Sequence, residues 1–240
     1  MKKNALELVF ILDRSGSMYS LTDDAVGGFN SVLDQQKKEN VDIVVTTVLF
    51  NNRSVRIHDR VPATEVPHIT REEYNAGGST ALYDAVGSTI DHIEKIHHYI
   101  RSEDVPEKTL FVITTDGMEN ASHLYSQAQV KERIERKRAE NGWEFLFLAA
   151  NIDTQEVAES IGIDESRAAS FQANSKGIRV MYQKLGSAIE TAAKGDPDKV
   201  EWSELLREEK TKGKHISRSK RLLEFLRDEG ETAENNDIEN

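Results

Sequence analysis

The chain has 240 residues, 38% of them hydrophobic, with a formal net charge of −11 and no cysteine. This composition suits a globular protein of one large or two small domains, and the acidic balance argues against a surface that binds nucleic acid throughout. The absence of cysteine excludes disulfides and thiolate zinc sites, and no apolar stretch approaches the roughly 20 residues of a membrane-spanning helix.

The first element is an apolar run that ends in a carboxylate. The run Leu8–Leu12 predicts a strand buried on both faces, and a signal peptide is not expected because no small-residue cleavage site follows. Asp13 comes next, and Ser15 and Ser17 follow at alternate positions around Gly16. These residues can direct three hard oxygens at one point, an arrangement that suits Mg²⁺ or Mn²⁺ better than zinc.

The next elements predict a helix and an antiparallel strand pair. Thr22 is a candidate N-cap for a helix that should run to about Glu39. Two β-branched runs, Val41–Phe50 and Ser54–Val61, are separated only by a short turn, so the two strands should be antiparallel. Residues 62–76 form a polar connection in which no regular element is predicted.

The rest of the chain alternates between predicted helices and strands. In order, these are a long helix from Leu82, a strand at Leu110–Thr114, a helix at Ser126–Asn141, a strand at Phe145–Ala150, a helix at Gln155–Ile161, an edge strand at Ala168–Phe171 and a helix at Ile178–Ala193. This alternation predicts an α/β fold, in which a doubly wound, mostly parallel sheet with one antiparallel edge strand carries helices on both faces.

Three polar loops should meet at one edge of this sheet. Asp13 and Asp116 each follow a buried strand, and Thr80 opens a helix after Gly77-Gly78. In doubly wound sheets, ligands bind at the carboxyl ends of the strands. The topology therefore places all three loops near one site, before any family is considered.

The same residues carry a resemblance to a known family. The segments Asp13–Met18, Gly77–Ala85 and Thr114–Gly117 resemble, in order, the three metal-binding loops of von Willebrand factor type A domains. The resemblance covers roughly residues 5 to 195 and is to a member of the intracellular bacterial type. It implies a metal-ion-dependent adhesion site (MIDAS) in which Mg²⁺ or Mn²⁺ is bound by Asp13, Ser15, Ser17, Thr80 and Asp116.

Nothing in the predicted site supplies a general base, so we expect a binding protein rather than an enzyme. We expect the metal to hold a Glu or Asp carboxylate supplied by another protein, and we extend the hypothesis to an adaptor in an intracellular complex. A cytoplasmic location is expected, and neither nucleic acid nor membrane is an expected partner.

Other interpretations of the same residues remain open. Ser15 and Ser17 alone would cap a helix, and Asp116 alone would cap a turn. Asp13 could instead be the nucleophile of a metal-dependent phosphate-ester hydrolase, although Ser15 stands where such enzymes carry a second Asp. Asp84 is either an acceptor behind the metal ligands or an ordinary acid in the first turn of its helix.

The sequence predicts a boundary near residue 195. Residues 1–195 form the predicted von Willebrand A-like domain, and residues 196–240 form a charged C-terminal extension, partly helical or disordered. A Lys- and Arg-rich stretch in the extension suggests RNA or an acidic partner as an alternative, but aromatic residues do not interleave with its basic core.

Overall fold

Among residues 1–38 and 41–195, which the computed structural model describes, six strands form one sheet. In chain order they are β1 (Lys2–Asp13), β2 (Asp42–Phe50), β3 (Ser54–Pro62), β4 (Pro106–Thr115), β5 (Glu144–Ala149) and β6 (Ala168–Ser170). They lie in the order β3-β2-β1-β4-β5-β6, and of these six only β3 runs antiparallel to its neighbour. The sheet predicted from the sequence is therefore confirmed.

Helices cover both faces of the sheet, as expected. The described α-helices are α1 (Thr22–Gln36), α2 (Arg71–Tyr74), α3 (Leu82–Tyr99), α4 (Gln127–Asn141), α5 (Thr154–Ser160) and α6 (Ser175–Lys194). One apolar cluster joins alternate residues of β1, such as Phe10, to α1 and α6, and the other joins the intervening residues, such as Ile11, to α3, α4 and α5. No helix among the described residues is long and apolar enough to cross a membrane.

The central strand β1 fixes where the site forms. Leu8–Leu12 are at most 1% exposed, as expected for a strand covered on both faces. Parallel pairing sets Asp13 opposite Phe50 on β2 and Leu12 opposite Thr114 on β4. The loops that follow β1 and β4 therefore leave the sheet at the same edge.

The start of α1 differs from the prediction. A 3-10 helix at Gly16–Leu21 runs directly into α1, so Thr22 lies in the first turn rather than at the N-cap. Its hydroxyl donates back to the carbonyls of Met18 (3.3 Å) and Tyr19 (3.0 Å). The helix ends at Gln36, and Glu39 lies outside the described residues.

The polar connection at residues 62–76 contains α2, a helix that the sequence analysis missed. A capping box holds it: the Glu73 N–H donates to Thr70 Oγ1 at 3.2 Å, and the Thr70 N–H donates to Glu73 Oε2 at 2.7 Å. The spacing Thr-x-x-Glu is the signature of this motif and was readable in the sequence. The extension at residues 196–240 lies outside the described residues, so the predicted domain boundary stays a prediction.

Candidate metal centre

The structure brings the five predicted site residues together at the carboxyl edge of the sheet. Ser15 Oγ and Ser17 Oγ are 3.1 Å apart, and the Ser17 hydroxyl donates to Asp116 Oδ1 at 2.5 Å. A Cβ atom placed on Gly117 would lie 3.7 Å from Thr80 Oγ1 and 3.8 Å from Ser17 Oγ. The three loops thus converge, and the role of these side chains as metal ligands stays a prediction.

Asp13 is buried and held by three hydrogen bonds. Its Oδ1 accepts the Ser15 N–H and its Oδ2 accepts the Thr115 hydroxyl, both at 2.6 Å. Its backbone carbonyl accepts the hydroxyl of Tyr74, a residue of α2 that is 1% exposed. The sequence analysis did not identify Thr115 or Tyr74 as a donor to Asp13. Thr115 could have been identified, because it is adjacent to Asp116 at the end of a buried strand.

Both carboxyl groups are held in an environment that disfavours their charge. Burial raises the pKa of Asp13 above its ordinary value, against the lowering effect of hydrogen bonds from Thr115 and Ser15. Burial also raises the pKa of Asp116, and the Ser17 hydrogen bond opposes this. Within the described residues, no Lys or Arg forms an ion pair with either group, so a cation bound here would relieve an unbalanced charge.

Arg14, between these ligand candidates, faces away from them. Its guanidinium donates to the carbonyl of Glu73 at 3.2 Å, at the end of α2. Its backbone carbonyl accepts the Gly77 N–H at 2.8 Å, while the Gly16 N–H donates to Gly78 O at 2.9 Å. Gly78 has a φ of 82°, a conformation that glycine adopts without strain. The first and second loops are therefore bound together through their backbones.

The second and third loops are joined more extensively. Asn120 Oδ1 accepts the Thr80 N–H at 2.9 Å, and the Asn120 N–H donates to Thr80 O at 3.0 Å. Glu119 Oε2 accepts the Tyr83 N–H at 3.0 Å, which places a carboxylate at the N-terminus of α3, where the helix dipole favours it. The backbone position of Thr80 is thus fixed by the third loop.

Asp84 is an acid of the first turn of α3, and it anchors the third loop. Its two carboxylate oxygens accept backbone N–H groups of His123, Leu124 and Tyr125 at 2.8 to 2.9 Å. These contacts show no role as an acceptor behind the metal ligands. The capping interpretation of Ser15 also fails, because Ser15 makes no side-chain capping bond and its hydroxyl faces Ser17.

The donor set suits a hard divalent cation. It offers two carboxylates and three hydroxyls, the oxygen ligands that Mg²⁺ and Mn²⁺ accept. No group of three or more His, Cys, Asp or Glu side chains that could hold a metal occurs in the described part of the chain. A metal at this edge would therefore depend on the serine and threonine hydroxyls as well as on the two acids.

Comparisons with known proteins show the fold. Neither protein-family models nor curated proteins gave a match. A structure of proximal thread matrix protein 1 from the mussel byssus has a TM-score of 0.53 and 13% identity, and the match covers 79% of this chain and 46% of that one. Another structure of that protein, described as having a zinc-occupied MIDAS motif, has a TM-score of 0.54 and 13% identity over the same shares.

A mutant of the PilB minor pilin from Streptococcus sanguinis has a TM-score of 0.54 and 14% identity, and the match covers 78% of this chain and 62% of that one. This chain thus spans about half the length of the mussel protein and less than two thirds of the pilin. At these identities the likeness shows the shared fold alone. One protein with this fold is described as carrying a MIDAS motif, and membership of the von Willebrand factor type A family stays a prediction.

Proposed function

We propose that this chain is a protein-binding module whose binding depends on a divalent metal. The observation that carries the proposal is the convergence of two buried carboxyl groups and three hydroxyls at the carboxyl edge of the sheet. The Ser17–Asp116 hydrogen bond is the closest link between the loops that supply them.

The site residues have separate roles in this proposal. Asp13 and Asp116 balance the charge of a dication, and Ser15, Ser17 and Thr80 supply neutral oxygens. When bound, the metal offers an electrophilic position to an oxygen ligand from outside the chain. A Glu or Asp carboxylate from a partner protein is the best such ligand because it adds charge to the contact.

Mg²⁺ or Mn²⁺ is the proposed metal. Hydroxyl and carboxylate oxygens match these ions, whereas zinc in proteins usually takes nitrogen and sulfur ligands. Zinc is a useful comparison ion, because one structure of the mussel protein is described as having a zinc-occupied MIDAS motif. From the resemblance of the three motifs we infer that the chain acts as an adaptor within an intracellular complex.

Binding rather than catalysis is favoured by the surroundings of Asp13. Both of its carboxylate oxygens accept hydrogen bonds, from Ser15 and Thr115, which fix the orientation of the carboxylate. Ser15 also stands in the place of a second acid. A hydrolase that used Asp13 as nucleophile would need a proton donor there.

The test immobilises the full chain and compares the proteins that it retains in Mg²⁺ with those that it retains in a chelator. We expect proteins that are retained with metal, released by chelator and lost in Asp116→Asn. Asp42→Asn serves as the matched control, since this exposed carboxylate begins β2 at the opposite edge. Equal capture with and without chelator would contradict the proposal. Turnover of para-nitrophenyl phosphate that is lost in Asp13→Asn would favour the hydrolase.

A further inference from the structure

Large apolar side chains stand exposed in the segments that follow the predicted ligands Ser17 and Asp116. Tyr19 is 67% exposed, Met118 is 67% exposed and Leu124 is 74% exposed. Tyr19 lies in the 3-10 helix Gly16–Leu21, and Met118 and Leu124 lie in the connection between β4 and α4 that follows Asp116. The other exposed large hydrophobic residues of the described chain, Met1, Val55 and Tyr99, lie in neither segment. We call Tyr19, Met118 and Leu124 the apolar rim.

The apolar rim is tied to the metal ligands by chain connectivity. Tyr19 lies two residues after Ser17, and Met118 lies two residues after Asp116. Because the Ser17 hydroxyl contacts Asp116 at 2.5 Å, Tyr19 and Met118 leave the site from two loops that touch. Each of the two exposed side chains is therefore only two residues from a candidate ligand.

Hydrogen bonds hold the loop that carries Met118 and Leu124, although both side chains are exposed. The Leu124 N–H donates to Asp84 Oδ1 at 2.8 Å, and Glu119 Oε1 accepts the N–H groups of Ala121 and Ser122 at 2.8 and 2.7 Å. A surface that is already ordered loses less entropy when it binds. Tyr and Met are also enriched at the centres of protein interfaces, where Met adapts to varied partners.

The charges around the rim restrict the partner further. Asp23 and Asp24 lie in the first turn of α1, close after Tyr19 in the chain, and the chain as a whole carries a net charge of −11. The nearby Arg71 is paired with Asp23. A partner segment with several carboxylates would be repelled here, whereas one carboxylate on the metal would be favoured.

We infer that the metal centre and the apolar rim together bind a segment of a partner protein with one Glu or Asp flanked by aliphatic or aromatic residues. This inference rests on the proposed function, because the carboxylate is held by the metal. The flanking residues pack on Tyr19, Met118 and Leu124, and they supply the selectivity that a single metal–carboxylate contact lacks.

The test is a selection of peptides from a random 12-residue display library on the immobilised full chain with Mg²⁺, with elution by chelator. The same selection is run on the double variant Tyr19→Ser/Met118→Ser and on the control Tyr99→Ser, which removes an aromatic ring that is 75% exposed at the far end of α3. We expect eluted peptides with one acid beside apolar residues, bound about tenfold or more weakly by the double variant and equally by the control. The metal-dependent thermal shift of the double variant should match that of wild type.

Each other outcome overturns the inference. Chelator-eluted peptides with an acid but no apolar enrichment, peptides rich in acids, or equal binding by the double variant would remove the rim's role and leave the proposed function standing. Failure of the double variant to show the metal-dependent shift would mean that these substitutions disturb the metal centre rather than the docking surface. If no peptide were eluted by chelator, the proposed function itself would fail together with the inference.

Discussion

Ser17 and Asp116 are 99 residues apart in sequence, and the hydroxyl of Ser17 donates to Asp116 Oδ1 at 2.5 Å. This contact joins the segment that follows β1 to the segment that follows β4, and it places a hydroxyl beside a carboxylate. Asp116 is 3% exposed, so its charge is costly unless a cation compensates it. The stability of the metal-free protein should therefore depend on pH.

Without metal, the contribution of Asp13 and Asp116 to stability should fall as pH rises above about 4. Burial raises the pKa values of Asp13 and Asp116 above the ordinary 3.8, so the folded state holds these protons to higher pH than the unfolded state does. Stability then falls as pH rises through the folded pKa values. Urea unfolding in chelator at several pH values measures this, and Asp116→Asn should reduce the fall. A steeper fall in the variant would contradict the assigned direction.

The hydroxyl of Thr80 should matter for the metal more than for the fold. Thr80 is 4% exposed, and Thr80→Val keeps its shape while removing the oxygen. We expect Thr80→Val to weaken metal binding and the capture of partners with only a small change in the urea midpoint, while Thr80→Ser keeps both. Calorimetric titration with Mn²⁺ compares the two variants. Equal metal affinity in Thr80→Val and wild type would exclude Thr80 as a ligand.

The hydrogen bond from Tyr74 to the Asp13 carbonyl should stabilise the fold. Tyr74→Phe removes a buried donor and should lower the free energy of unfolding by about 1–2 kcal/mol. Tyr19→Phe is the matched control, since its ring is 67% exposed, and should change stability by less than about 0.5 kcal/mol. Chemical unfolding of both variants in chelator makes the comparison, and equal losses would show that the Tyr74 hydroxyl has no special role.

The sequence predicted the parts of the site that follow local rules. Asp13 ends a buried strand, Ser15 and Asp116 follow buried strands, and strand direction alone puts them at one edge. The hydrogen bond from Tyr74 to the Asp13 carbonyl was not predictable, because the two residues are 61 positions apart and no local pattern connects them. Thr22 misled for another reason: its type suits an N-cap, but the preceding 3-10 helix leaves no extended residue for that position.

The predicted boundary of the domain is open to a deletion. Removal of residues 203–240 should leave a chain that unfolds cooperatively and keeps its response to metal, because every described strand and helix ends by Lys194. Circular dichroism during heating, with and without Mg²⁺, provides the measurement. Loss of a cooperative transition would place part of the deleted segment in the core and move the boundary.

The most direct test of the account is heat unfolding of wild type and Asp116→Ala with increasing Mg²⁺ or Mn²⁺. A ligand that binds only the folded state adds about 2.7 kcal/mol when its concentration is one hundred times Kd. We expect a melting temperature that rises with metal for wild type and for the control Asp42→Ala, and no rise for Asp116→Ala. A full metal-dependent rise in Asp116→Ala, or none in wild type, would contradict the assignment of this edge as a metal centre.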